Sequence, residues 1–96
     1  MSEKEKILNK LKELKPYLNK EFSVSKMGLF GSYGDNTYTD ESDIDILVEF
    51  SKPIGWKFFS LEIFLENTFK KRIDLVTHLA LKDVIKNDIL QSVQYI

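Results

Sequence analysis

The sequence predicts a small α/β (α+β) fold, in which a mixed sheet of three main strands carries helices packed on it. Three observations point there. Apolar residues recur at helical spacing between Ile7 and Leu18, and residues 43–50 alternate with a period of two. A second helical stretch then separates that strand from another at residues 72–77. Ninety-six residues with 43% apolar side chains suit one ordinary domain spanning 1–96, with modest stability.

Taken in order, Ser2 and Glu5 have the spacing of a capping box. Ile7, Leu8, Leu11, Leu14 and Leu18 follow, predicting a helix over 3–20 that Pro16, lacking an amide donor, kinks or restarts. Residues 24–30 read as a first strand, and 31–42, dense in Gly, Asn, Ser, Thr and Asp, as turn and loop. In the second strand, 43–50, Ile44, Ile46 and Val48 face the core while Asp43, Asp45 and Glu49 face away, with Leu47 the exception on the polar side. After a break at 51–55, residues 56–69 predict a deeply packed helix. Phe58, Leu61, Leu65 and Phe69 mark its buried face, and Phe59 and Ile63 widen it. Trp56, Phe58, Phe59, Phe64 and Phe69 read as core packing, although an exposed Trp56 would suit a partner surface. The third strand spans 72–77. A final helix spans 81–90, with Leu81, Val84, Ile85, Ile89 and Leu90 apolar, and the tail 92–96 offers a short extended piece. The strand–helix–strand order favours parallel strands two and three, and the short first connection permits antiparallel strands one and two.

Composition narrows the function. Fourteen basic against fifteen acidic side chains, net charge -1, argue against a protein that coats nucleic acid, so no direct nucleic-acid contact is expected. Thirteen of the basic residues are Lys, so Arg72 is the one candidate for bidentate phosphate recognition. Without cysteine there is no disulfide, thiolate zinc site or Cys nucleophile. No apolar run reaches the roughly 20 residues of a membrane span, and no signal-like segment follows Met1, so the cytosol is the default compartment.

The chemistry concentrates at one predicted edge. Asp43 and Asp45, two residues apart on a strand, point to the same face. With strands two and three parallel, Asp74 near the start of the third reaches the same end; with strand one antiparallel, Gly31-Ser32 reaches it too. Three carboxylates so placed repel one another unless a cation is present. Magnesium, as one ion or two, suits such hard oxygens and bridges to substrate phosphates. Gly31 allows close backbone approach, and Ser32 offers a hydroxyl and an amide to phosphate oxygens, more so if Ser32 opens a short helix. Alone, alternating acids also suit the wet face of an edge strand, and Gly-Ser a plain turn; the combination carries the reading. His78, after a strand end, reads as a loop residue rather than a ligand.

Gly31-Ser32, ten intervening residues and Asp43-Ile44-Asp45 resemble the signature of the DNA-polymerase-β-like nucleotidyltransferase superfamily. The stretch Gly28-Leu29-Phe30-Gly31-Ser32, with Asp43 to Phe50, is similar to its smallest branch, the minimal nucleotidyltransferase (MNT) domains, antitoxin halves of HEPN/MNT toxin–antitoxin pairs. Residues 53–59, 72–77 and 89–96 fit the same family. The resemblance implies a nucleotidyltransferase-like core, divalent metal on Asp43, Asp45 and Asp74, and triphosphate contacts from Gly31 and Ser32. It further implies transfer of AMP from ATP to a tyrosine hydroxyl of a HEPN ribonuclease partner, silencing it, with a homo- or hetero-oligomer as the working assembly. In that reaction Asp74 helps orient or deprotonate the acceptor hydroxyl. The chain looks too short to hold its own acceptor-binding segment, so another protein presents the acceptor.

One departure stands out. Proteins of the family it resembles usually carry Arg-Gly four and five residues after the first motif glycine, where this chain has Asp35-Asn36. An acid at that place weakens triphosphate affinity unless Lys57, Lys71 or Arg72 substitutes, or unless Asp35 sits outside the pocket. It also keeps open a second reading, a nucleotide-binding module of weak activity that neutralises its partner by steric docking. A transferase acting on RNA ends is a third, opposed by the neutral charge.

Overall fold

In the computed structural model, which describes residues 2–80 and 83–96, each predicted element is found, with shifted ends and two additions. The order is α1 (Glu3–Phe22), β1 (Val24–Phe30), α2 (Gly31–Asp35), β2 (Ile44–Phe50), α3 (Lys57–Phe69), β3 (Ile73–Thr77), a 3-10 turn (His78–Ala80), α4 (Asp83–Ser92) and β4 (Gln94–Tyr95). Leu81, expected on the last helix, lies outside the described residues.

Ser2 caps α1, its hydroxyl accepting the Glu5 amide at 3.1 Å. The helix runs through Pro16 without the expected interruption. Pro16 lies on the exposed side, while Leu11 and Leu18, both fully buried, clamp the helix on either side of it. Tertiary packing outweighs the lost hydrogen bond. At the C-terminus Ser23 takes the left-handed conformation and donates its amide to the Asn19 carbonyl, turning the chain into β1.

The sheet order is β3-β2-β1-β4. β2 pairs parallel with β3 and antiparallel with β1, as the connections predicted. The three expected strands are joined by β4, the short extended tail, which pairs antiparallel with the free edge of β1. Gly28 makes that docking possible, because a Cβ there would sit 2.8 Å from Val93 Cγ2 and 2.9 Å from the Gln94 carbonyl oxygen. On one face, Met27, Leu29, Ile44, Ile46, Val48, Ile73 and Leu75 join Ile7, Leu8, Leu11, Leu18 and Phe22 of α1 and Leu61 and Leu65 of α3 in one core. The other face is not simply wet. Phe30 and Leu47 are buried there too, which removes the apparent exception of an apolar Leu47 among acids.

Besides the uninterrupted α1, the burial of α3 departs from expectation. Only Leu61 and Leu65 are fully buried, with Phe58, Phe64 and Phe69 packed at the margin of the core. Phe59 and Ile63, expected to widen the buried face, are 55% and 59% exposed, and Trp56 is 85% exposed. Trp56 and Phe59 touch each other instead, ring centroids 5.8 Å apart. A helix apolar on two sides offers two equally good faces to periodicity. The sheet can cover only one of them.

Candidate functional site

The predicted convergence rests on strand register. Across β1 and β2, Phe30 lies opposite Asp45; across β2 and β3, Asp45 lies opposite Asp74. Paired residues share a face, so Asp45 and Asp74 are cross-strand neighbours on the side away from the main core. Asp43 sits one residue ahead of β2, held by a tight turn in which the Thr39 amide donates to the Ser42 hydroxyl at 2.9 Å. The Ile44 amide then donates to the Arg72 carbonyl at 3.0 Å, tying the start of β2 to the start of β3.

Gly31 follows Phe30 directly, with φ at +63°. A methyl group at its Cα would overlap Asp45 Oδ2, so the backbone bend lies flat against the carboxylate. Glycine is therefore required twice, by conformation and by space. Ser32 occupies the first turn of α2, half-buried, and its hydroxyl has no hydrogen-bond partner among the described residues. The condition that Ser32 open a short helix is met.

Electrostatics single out the middle acid. Burial beside Phe30 and Leu47, and then the charges of Asp74 and Asp43, push the Asp45 carboxyl from 3.8 up to about 6. All three influences act in the same direction, as expected for a carboxylate cluster with no counter-charge of its own. Asp43 and Asp74 are exposed and free to turn. Among the described residues, no three acidic or imidazole side chains are already gathered around one point able to hold a metal ion. The backbone brings the three acids to one edge; their side chains still stand apart.

A polar cleft of about 540 Å³ opens beside them, lined by Asp43, Glu62, Glu66, Arg72, Ile73 and Asp74. Glu62 and Glu66 were missed in the sequence. Their four-residue spacing on a helix leading into the third acidic strand was the available signal, masked by the louder aromatic pattern around them.

Asp35 and Asn36 take unexpected parts. Asp35 is exposed, and its carboxylate accepts from the Thr37 hydroxyl at 2.6 Å and the Thr37 amide at 3.1 Å, which holds it below the usual carboxylate range. It is not among the residues lining the cleft. Asn36 ends α2 at φ +67°, a conformation asparagine tolerates almost as glycine does. Of the basic residues weighed as phosphate ligands, Lys57 donates to the Glu21 carbonyl at 3.3 Å and Lys71 to the Asp40 carbonyl at 2.9 Å. Arg72 alone lines the cleft. His78 lies at the far end of the strands, away from the acids.

Comparison with known proteins bears on family and fold. The family model for the nucleotidyltransferase domain matches residues 5–96. The protein adenylyltransferase MntA of Thermococcus cleftensis is 40% identical over 83 residues, covering 85% of this chain and 84% of the relative. A Methanocaldococcus jannaschii protein carrying the provisional name protein adenylyltransferase is 40% identical over 98 residues, covering 100% and 97%. In fold, the chain is similar to a structure provisionally described as a minimal nucleotidyltransferase, with TM-score 0.76, 22% identity and coverage of 93% and 92%. It is also similar to a chain of a toxin–antitoxin complex with AMP-PNP, with TM-score 0.68, 23% identity and coverage of 98% and 72%.

Proposed function

This chain belongs to the nucleotidyltransferase domain family, and from that premise we propose that residues 1–96 act as a minimal protein adenylyltransferase, the antitoxin of a HEPN-type toxin. In this reading it transfers AMP from ATP to a hydroxyl of the toxin, a tyrosine hydroxyl being the expected acceptor. The observation that carries it is the register placing Asp45 between Asp74 and the Gly31 bend, with Asp43 two residues away. The names of its relatives support the reaction, and the toxin–antitoxin complexes of similar fold support the partner.

The donor set fits magnesium: three carboxylates with hard oxygens, no sulfur, and a central carboxyl raised to about 6 by burial and by the charges of Asp74 and Asp43. Asp43, Asp45 and Asp74 would hold it, and when bound it supplies neutralisation of the phosphates and activation of the hydroxyl. The remaining work falls to the chain itself. The Gly31 backbone and the Ser32 amide and hydroxyl contact the triphosphate. Asp74, exposed at the cleft, orients the acceptor and takes its proton. The acceptor oxygen bonds to the α-phosphorus, the bond to the bridging oxygen breaks, and pyrophosphate leaves on the opposite side.

Incubating the chain with labelled ATP, magnesium and its HEPN-type partner tests this. Label is expected on the partner, lost with Asp45→Asn. A partner left unlabelled by the wild type would remove the enzymatic claim. The steric-docking alternative drew on Asp35, whose carboxylate is engaged with Thr37. It would gain only if an Asp43/Asp45 double variant still neutralised the toxin.

A further inference from the structure

The short helix α2 beside the acids, Gly31 to Asp35, carries no basic residue. We infer that Arg72 supplies the phosphate-binding cation, contacting the α-phosphate of the bound nucleotide from the β3 side. This rests on the nucleotide reading above and adds a residue to it.

Placement comes first. Arg72 precedes Asp74 by two residues and therefore shares its face. Its carbonyl accepts the Ile44 amide, which sets it beside Asp43 at the mouth of the cleft. Charge comes second. Among the described residues that line the cleft, Arg72 is the single cation beside Asp43, Glu62, Glu66 and Asp74. Among the described residues the Arg72 guanidinium makes no ion pair, although four carboxylates line the same cleft. Competing cations come third. Lys57 and Lys71 are committed to backbone carbonyls, and Lys4 reaches the far end of α2, 2.9 Å from Asn36 Oδ1. A planar guanidinium fork also matches two phosphate oxygens where an ammonium matches one.

Sheet order then assigns the phosphate. Along the edge lie the Gly31 bend after β1, Asp45 on β2, and Asp74 on β3 with Arg72 just ahead of that strand. A triphosphate tail directed toward Gly31 leaves the α-phosphate facing β3, and in-line attack brings the acceptor from the cleft side. Arg72 therefore grips the group that is transferred rather than the group that leaves.

Isothermal titration with ATP and with ADP, each with magnesium, reads this directly. Arg72→Ala is expected to weaken both nucleotides to a similar degree, roughly tenfold to a hundredfold, as suits a lost charge-assisted contact. Arg72→Lys should fall between, and Lys57→Ala and Lys71→Ala should match the wild type. Because Arg72 is exposed, the thermal midpoint of the ligand-free variant should not move. Unchanged affinity in Arg72→Ala overturns the assignment and leaves the nucleotide reading intact. A loss with ATP but not ADP overturns it as well, placing the contact on the terminal phosphate. A folded wild type that binds neither nucleotide sinks both readings.

Discussion

The two ends of the β2–β3 pair are made of the same two strands and have opposite characters. At their starts, Asp43, Arg72 and Asp74 line a polar cleft, and Asp45 lies opposite Asp74 across the strands. At their finishes, Val48, Phe50, Pro53 and Leu79 form an apolar cleft of about 470 Å³, with Thr77 and His78 at its side. Open sheets of parallel strands place ligands beyond the carboxyl ends of their strands. In this sheet β1 runs antiparallel and delivers the Gly31 bend to the starts of β2 and β3, so the candidate site lies at the opposite end. The charged end is shaped for chemistry at a cost in stability, and the apolar end is shaped for packing.

That contrast can be broken by mutation. The largest effect is expected at the apolar end, where Val48 is fully buried: Val48→Ala should cost about 2 kcal/mol in urea unfolding, with nucleotide affinity of the folded protein unchanged. Gly31→Ala comes next. It forces a side chain into the Asp45 carboxylate at a positive φ and should cost about 1–2 kcal/mol while also weakening nucleotide binding. Equal binding by a folded Gly31→Ala protein would blur the distinction between the two ends.

The pH dependence sharpens the same contrast. Asp45 has a folded pKa near 6 against an ordinary 3.8, so the native state keeps its proton longer than the unfolded chain. Its contribution to stability is complete below the unfolded value and is lost as pH rises through about 6. Half-exposure screens the effect, so the wild type should lose only about 1 kcal/mol between pH 4 and 7 without divalent cations. Asp45→Asn should show no such fall, and magnesium should restore stability at pH 7 in the wild type alone. A flat wild-type profile would mean that neither burial nor the neighbouring acids raise the Asp45 carboxyl.

The smallest effects test two exposed or unpartnered groups. Phe59→Ser should change stability by no more than about 0.5 kcal/mol, since the ring lies outside the core. Tyr33→Phe should be neutral or slightly stabilising. The Tyr33 ring is fully buried and stacked on Tyr38 at 4.5 Å, yet its hydroxyl has no hydrogen-bond partner among the described residues.

Much of the site could be read in the sequence because its determinants are local. The two-residue period of β2 alone puts Asp43 and Asp45 on one face, and a Gly-Ser pair after an apolar run marks a bend whatever surrounds it. The parallel and antiparallel pairings followed from the lengths of the connections. Glu62 and Glu66 left only the faint signal of their spacing, because their place at the cleft depends on which side of α3 turns toward β3.

By itself, then, the sequence determined the order of elements, the core-facing residues of the strands and the set of acids, all through short-range periodicity and backbone sterics. Tertiary structure decided the rest. It carried α1 through Pro16, left Trp56, Phe59 and Ile63 uncovered, sent Asp35 toward Thr37 and raised the Asp45 carboxyl. Each of those outcomes is a competition between neighbours distant in the chain. Burial and charge are sums over such neighbours, and a one-dimensional pattern does not contain them.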